Sequence, residues 1–191
     1  MIKIENLSVL ILIIIVMLVG CNESNIDIEE KTFTVESYSM SPDIKLGDIL
    51  IYEKIENKDD IVTWARSRIT DNYKKFGGYG DVILYHPDGD NNISIPHRAM
   101  CWVEVEYIGS NKTYSIEEYG INKQNANESL YMPEVGIMTF DNQPMMVNWS
   151  QSGFITKGDN PDTNYISDQV GGISNEPIKI EWILGKVTGL K

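Results

Sequence analysis

The chain opens on one long apolar stretch and then alternates short apolar runs with clusters of turn formers. Residues 7–20 are almost wholly apolar. As a helix they would extend roughly 21 Å against a hydrocarbon core of roughly 30 Å, a length that suits either a membrane anchor or the hydrophobic part of a signal segment. From Phe33 the positions alternate, so Phe33, Val35, Ser37 and Ser39 are expected on one face of a strand, with Thr34, Glu36 and Tyr38 on the other. Pro42-Asp43 and Gly47-Asp48 bracket a turn before a buried strand at 49–52, and Gly80-Asp81 leads into a second such strand at 82–85. Between them residues 61–69 predict a helix whose apolar face is Ile61, Trp64, Ala65 and Ile69.

After the turn cluster at 87–90, Ile95-Pro96-His97-Arg98 runs into a half-exposed antiparallel strand at 102–107, where valine and glutamate alternate. Residues 109–152 are rich in Asn, Ser, Glu and Gly without periodicity, and are expected to form a loop-rich insertion. Strands are expected again at 153–157, 178–183 and 185–187. The pattern therefore predicts a mainly β, antiparallel domain over 22–191, preceded by a membrane anchor or lipoprotein signal segment at 1–21.

Composition narrows the function. A formal charge of -12 over 191 residues leaves no basic stripe for phosphate neutralisation, so no nucleic-acid partner is expected. The cysteines are Cys21 and Cys101. Leu18-Val19-Gly20-Cys21 reads like a lipobox, which makes Cys21 a lipidation candidate and membrane lipids a partner; Cys101 lies in an apolar stretch as a small hydrophobe, and no disulfide is expected. Lys3 precedes the apolar run and Glu23, Asp27, Glu29 and Glu30 follow it, which places the domain on the extracytoplasmic side. Sequons at Asn22, Asn92, Asn111, Asn127 and Asn148 suit that location. Neither paired Cys/His spacing nor a Gly-rich phosphate loop is present, so no metal or cofactor is expected.

The chemistry-bearing residues come in the order serine, histidine, carboxylate. Ser39 stands in Ser39-Met40-Ser41-Pro42, His97 directly precedes Arg98, and carboxylates follow in Gly158-Asp159-Asn160 and Asp168-Gln169. A serine hydroxyl attacks well only when a base takes its proton, which an imidazole can do near neutral pH, and the imidazole in turn needs a carboxylate to orient it. His86 is the rival base, but it precedes Pro87 in a turn and is expected to be incidental.

This ordered set resembles the signal peptidase I family, specifically the archaeal type that uses histidine where bacterial members use lysine. The resemblance covers most of 33–110 and 153–189. It implies a signal-peptidase-like β fold, Ser39 as nucleophile, His97 as base, Asp168 as the orienting carboxylate and Asp159 in support. It further implies that the Ser37 hydroxyl and the Ser39 N–H serve the oxyanion, and that the substrates are secretory preproteins cut after small residues at the membrane surface. Two departures stand out. Asp162-Thr163-Asn164 lengthens the interval between the two aspartates and makes Asp162 a third candidate, and Tyr38 occupies a position where the family commonly has glycine. The alternative readings are a catalytically inactive anchored lipoprotein that binds peptides, and a self-cleaving repressor-like peptidase, which the missing helix-turn-helix pattern disfavours.

Overall fold

Where a few apolar or β-branched positions lie between turn formers, the chain makes a strand. The computed structural model describes residues 31–191, so the 1–21 segment, Cys21 and the Asn22 sequon lie outside the described residues. Strand β1 (Lys31–Thr34) pairs antiparallel with β2 (Ile49–Glu53). Helix α1 (Trp64–Ile69), the short strands β3 (Lys74–Lys75) and β4 (Gly78–Tyr79), then β5 (Val82–Tyr85) and the 14-residue β6 (Ile95–Ile108) follow. The order ends with β7 (Asn111–Ile116), β8 (Ile121–Asn125), β9 (Gly153–Lys157), the single-turn helix α2 (Asp168–Gly171) and β10 (Ile183–Leu190). The main sheet is ordered β1-β2-β10-β5-β6-β7-β8, β9 also pairs with β6, and β3 and β4 form a separate hairpin. All of these pairings are antiparallel, so the domain is mainly β.

Strand β6 organises the sheet. Its residues pair in succession with β5, β9 and β7, and a register shift between Ala99 and Cys101 bends it where it passes from one partner to the next. His97 lies just before this bend, opposite Ile83 of β5. One apolar cluster, including Val35, Met40, Ile44 and Leu50, packs under the segment that carries Ser39. A second, including Ile83, Tyr85, Ala99 and Phe154, lies on the face that His97 shares. Cys101 is buried and free.

Several elements differ from expectation, each for a packing reason. Strand β1 stops at Thr34, where its partner turns and Val35 bonds both Gly47 and Asp48; Ser37 and Ser39 then sit in an irregular segment and turn, with Met40 and Ile44 buried in the core. The helix begins at Trp64, where the Thr63 hydroxyl accepts from Arg66 N–H at 3.1 Å. Of its expected apolar face, Ile61 is buried before the helix starts, whereas Ile69 is 67% exposed. The strand expected at 178–183 is a bridge from Ile178 to Phe154 followed by a 3-10 turn at Ile180–Trp182, and pairing resumes only with β10.

The largest correction concerns 109–152, which is not simply loop-rich. It contributes β7 and β8, and its buried Tyr114, Leu130, Val135, Ile137 and Trp149 join Cys101, Val103 and Ile155 in the largest core cluster. Its apolar residues reach inward at irregular spacings among exposed Asn and Ser, so neither a 2.0 nor a 3.6 period shows in the sequence. Among the described residues no helix is long and apolar enough to cross a membrane.

Because 109–152 shares one core with β6 and β9, it should unfold with them. Leu130→Ala, at a side chain 1% exposed, is expected to remove about 2–5 kcal/mol. Urea unfolding followed by both tryptophan fluorescence and circular dichroism should still show one transition. Two separated transitions would show that the segment folds apart from the sheet.

Candidate active site

Ser39 is fixed from below and from above. Below, the adjacent Met40 is buried at 1% exposure. Above, Asn160 N–H donates to the Ser39 carbonyl at 2.9 Å, and Asn160 Nδ2 donates to the Tyr38 carbonyl at 2.9 Å. The two chain segments approach so closely that a Cβ placed on Gly158 would stand 2.6 Å from the Ser39 carbonyl oxygen, and only glycine allows that approach. The turn Gly158-Asp159-Asn160 is thus a strap over the serine.

His97 projects from β6 and is 2% exposed, with Nε2 2.8 Å from Ser39 Oγ and Nδ1 2.7 Å from Asp168 Oδ2. An ionised Asp168 can only accept, so the pattern assigns the proton of the neutral ring to Nδ1; Nε2 then accepts from the Ser39 hydroxyl. Asp168 opens α2 and is itself 1% exposed. Burial alone would raise its carboxyl, but the charge His97 carries when protonated, the His97 hydrogen bond and the nearby Thr156 and Tyr85 hydroxyls outweigh it and hold Asp168 below the ordinary carboxylate value. The histidine thus links a half-buried hydroxyl on one side to a buried, ionised carboxylate on the other.

The remaining sequence candidates separate cleanly. Ser37 Oγ lies 3.0 Å from Ser39 Oγ, reached through the turn rather than along a strand face. Asp159 does not contact His97; its carboxylate engages the neighbouring Arg98, through Nε at 3.2 Å and through Nη2. Asp162 is exposed, and its backbone N–H caps Asn160 Oδ1. His86 turns away, with Nδ1 on the Ile93 carbonyl at 2.6 Å. Among the described residues no cluster of His, Cys, Asp and Glu is arranged to hold a metal ion.

Arg98 is the main feature that sequence reasoning passed over. Its side chain is fully buried, and besides Asp159 it donates to the carbonyls of Lys75, Phe76 and Gly80 at 2.9, 3.2 and 2.8 Å. Those carbonyls belong to the β3–β4 hairpin and its exit, and a Cβ on Gly78 would stand 2.6 Å from Nη2. Also missed were Tyr85, a direct partner of Asp168, and Thr156 and Gln169 behind it. Tyr85 Oη donates to Asp168 Oδ2 at 2.7 Å, Thr156 Oγ1 to Tyr85 Oη at 3.2 Å, and Gln169 Nε2 to Thr156 Oγ1 at 3.2 Å. The pairing Asp168-Gln169 in the motif was the available signal.

A cavity of about 210 Å³ opens beside this strap, lined by Lys157, Gly158, Asp159 and Asn164 together with Trp64 and Met100. The larger groove, about 830 Å³, lies between α1, β6 and β7 and is lined by none of Ser39, His97 or Asp168. Chemistry, not size, marks the site. No protein-family model matches the chain, and no curated protein matches it. What the arrangement can do chemically is deprotonate one hydroxyl as it attacks, and hold the resulting imidazolium against a carboxylate.

A carboxyl depressed in the fold contributes stability that is complete above its unfolded value, near 3.8, and that is lost as pH falls through the folded value. Asp168→Asn should therefore flatten the pH dependence of unfolding free energy below about pH 4. An acid limb identical to that of the wild type would show that Asp168 is not held ionised in the fold.

Proposed function

We propose that the chain is a membrane-attached serine endopeptidase of the signal peptidase I type, acting on the extracytoplasmic side to remove signal peptides from secreted preproteins. The observation that carries the reading is the continuous hydrogen-bonded line from Ser39 Oγ through His97 to Asp168. The resemblance of the serine, histidine and aspartate segments to archaeal signal peptidases supplies the substrate class and the signal-peptidase-like fold. The apolar run at 7–20 supplies the attachment, either as a helix or through a lipidated Cys21.

In this reading Ser39 Oγ attacks the scissile carbonyl carbon while His97 Nε2 takes the hydroxyl proton. The carbonyl oxygen gains the negative charge, and the Ser37 hydroxyl and the Ser39 N–H are the donors assigned to it. When the intermediate collapses, the C–N bond breaks and His97 returns the proton to the departing amine. Water then repeats the sequence on the acyl-serine, with His97 as base, and frees Ser39. Asp168 keeps its negative charge throughout, holding the Nδ1 proton and offsetting the imidazolium. Asp159 acts at one remove, because it fixes Arg98 beside the base and Asn160 beside the nucleophile.

Five substitutions test these roles on a reconstituted preprotein with a small residue at the cleavage point. Ser39→Ala and His97→Ala should each lower cleavage by about 10³-fold or more, with losses that do not add in the double variant. Asp168→Asn should fold and yet turn over on the order of 10³ to 10⁴ times more slowly, since an amide cannot stabilise the imidazolium. Asp159→Asn should destabilise the protein by about 3 kcal/mol with an intermediate loss of rate, and Asp162→Asn should be nearly silent. Full cleavage by Ser39→Ala or His97→Ala would remove the basis of the reading.

A further inference from the structure

We propose that Tyr85 is a positioning residue for the Ser39–His97–Asp168 unit, its phenol fixing the Asp168 carboxylate and sharing the oxygen that faces His97. The inference rests on the reading of that unit as catalytic.

The placement follows from the sheet. Tyr85 ends β5, two residues after Ile83, and Ile83 is the partner of His97 on β6. Side chains two apart on a strand share a face, so Tyr85 and His97 reach from adjacent strands toward the start of α2. Their donors converge on one atom, with Tyr85 Oη and His97 Nδ1 each 2.7 Å from Asp168 Oδ2. The other oxygen, Oδ1, is buried and takes no hydrogen bond from the described residues.

A purely apolar role does not account for the hydroxyl. Tyr85 is 0% exposed, and its ring already belongs to an apolar cluster. Phenylalanine would fill that space without placing a polar group in it, and a buried hydroxyl lacking a partner is destabilising. Here the hydroxyl instead stands within a directed chain. Gln169 Nε2 donates to Thr156 Oγ1, Thr156 Oγ1 to Tyr85 Oη, and Tyr85 Oη to Asp168. Each link polarises the next toward the carboxylate. Gln169 Oε1 closes the loop by accepting from Thr156 N–H at 3.0 Å, which locks the side chain that follows Asp168 onto β9. Burial, and after it the Asp168 charge, push the phenol well above its ordinary value of 10, so it remains a donor at any pH near neutrality.

Two effects of the phenol act in opposite directions. It holds the carboxylate where His97 Nδ1 meets it, which favours turnover. It also draws charge from the shared oxygen, which weakens the hold on the imidazolium. Removing the hydroxyl alone should therefore slow the reaction through lost orientation while making the histidine easier to protonate. A residue that only packs would produce the first change through instability and would not produce the second.

The test compares wild type, Tyr85→Phe, Thr156→Val and Ser39→Ala on the same preprotein across pH. Tyr85→Phe should lower kcat by about 5-fold to 50-fold with KM little changed. It should also move the acid limb of kcat/KM upward by about half to one pH unit. Thr156→Val, which leaves the phenol but removes both its donor and a hydroxyl near Asp168, should shift the limb the same way. The chain has only the histidines His86 and His97, so ¹⁵N-histidine NMR can follow the His97 ring directly, and its titration should move upward in Tyr85→Phe. Wild-type kcat and wild-type titration in Tyr85→Phe, with Ser39→Ala inactive, would overturn the inference while leaving the peptidase reading intact. Undiminished cleavage by Ser39→Ala would overturn the reading on which it rests.

Discussion

A single buried guanidinium holds the parts of the site in register. Moving an unpaired charge out of water is prohibitive, so Arg98, wholly buried, is tolerated only because acceptors surround it: three backbone carbonyls and the two oxygens of Asp159. Its neighbours in the chain turn this requirement into geometry. Arg98 follows His97 on β6, and Asp159 precedes Asn160, which clamps the Ser39 carbonyl. One ion pair therefore fixes His97 and Ser39 relative to each other, through two pairs of covalently adjacent residues. The same satisfaction sets the β3–β4 hairpin, whose carbonyls must face inward, and excludes a side chain at Gly78.

Strand β6 separates two electrostatic environments by alternation alone. On the Arg98 face the buried cation meets an aspartate that is 22% exposed. On the His97 face a nearly inaccessible carboxylate is balanced by a histidine and by hydroxyls, with apolar side chains around them. The second arrangement suits chemistry better than the first, since its charge is compensated by a group that can gain and lose a proton. The first suits architecture, since guanidinium remains charged throughout the accessible pH range.

Much of the sheet was legible because its strands advertise themselves. Residues 82–85 form an apolar run entered from Gly80-Asp81, and β6 shows valine and glutamate alternating. What was not legible depended on tertiary packing. Alternation alone predicts that β1 continues past Thr34, whereas the chain turns there and buries Met40 and Ile44. Likewise, the order within 109–152 arises from irregularly spaced apolar residues that find one shared core with β6 and β9. At the site, the motifs named Ser39, His97 and Asp168, but spacing alone left Asp159 and Asp162 open. The structure separates them by contact: Asp168 meets His97, Asp159 meets Arg98, and Asp162 faces outward. Tyr85 escaped notice because an aromatic at the end of an apolar run reads as core, which it also is.

Activation of the group at position 39 by His97 can be measured without any substrate. In a Ser39→Cys variant the rate of alkylation by iodoacetamide reports how much thiolate the site stabilises. At pH 6.5, alkylation should be about 10-fold or more faster than in the same variant carrying His97→Ala, because an adjacent imidazole promotes thiolate formation. Equal rates with and without His97 would mean that the histidine does not act on position 39.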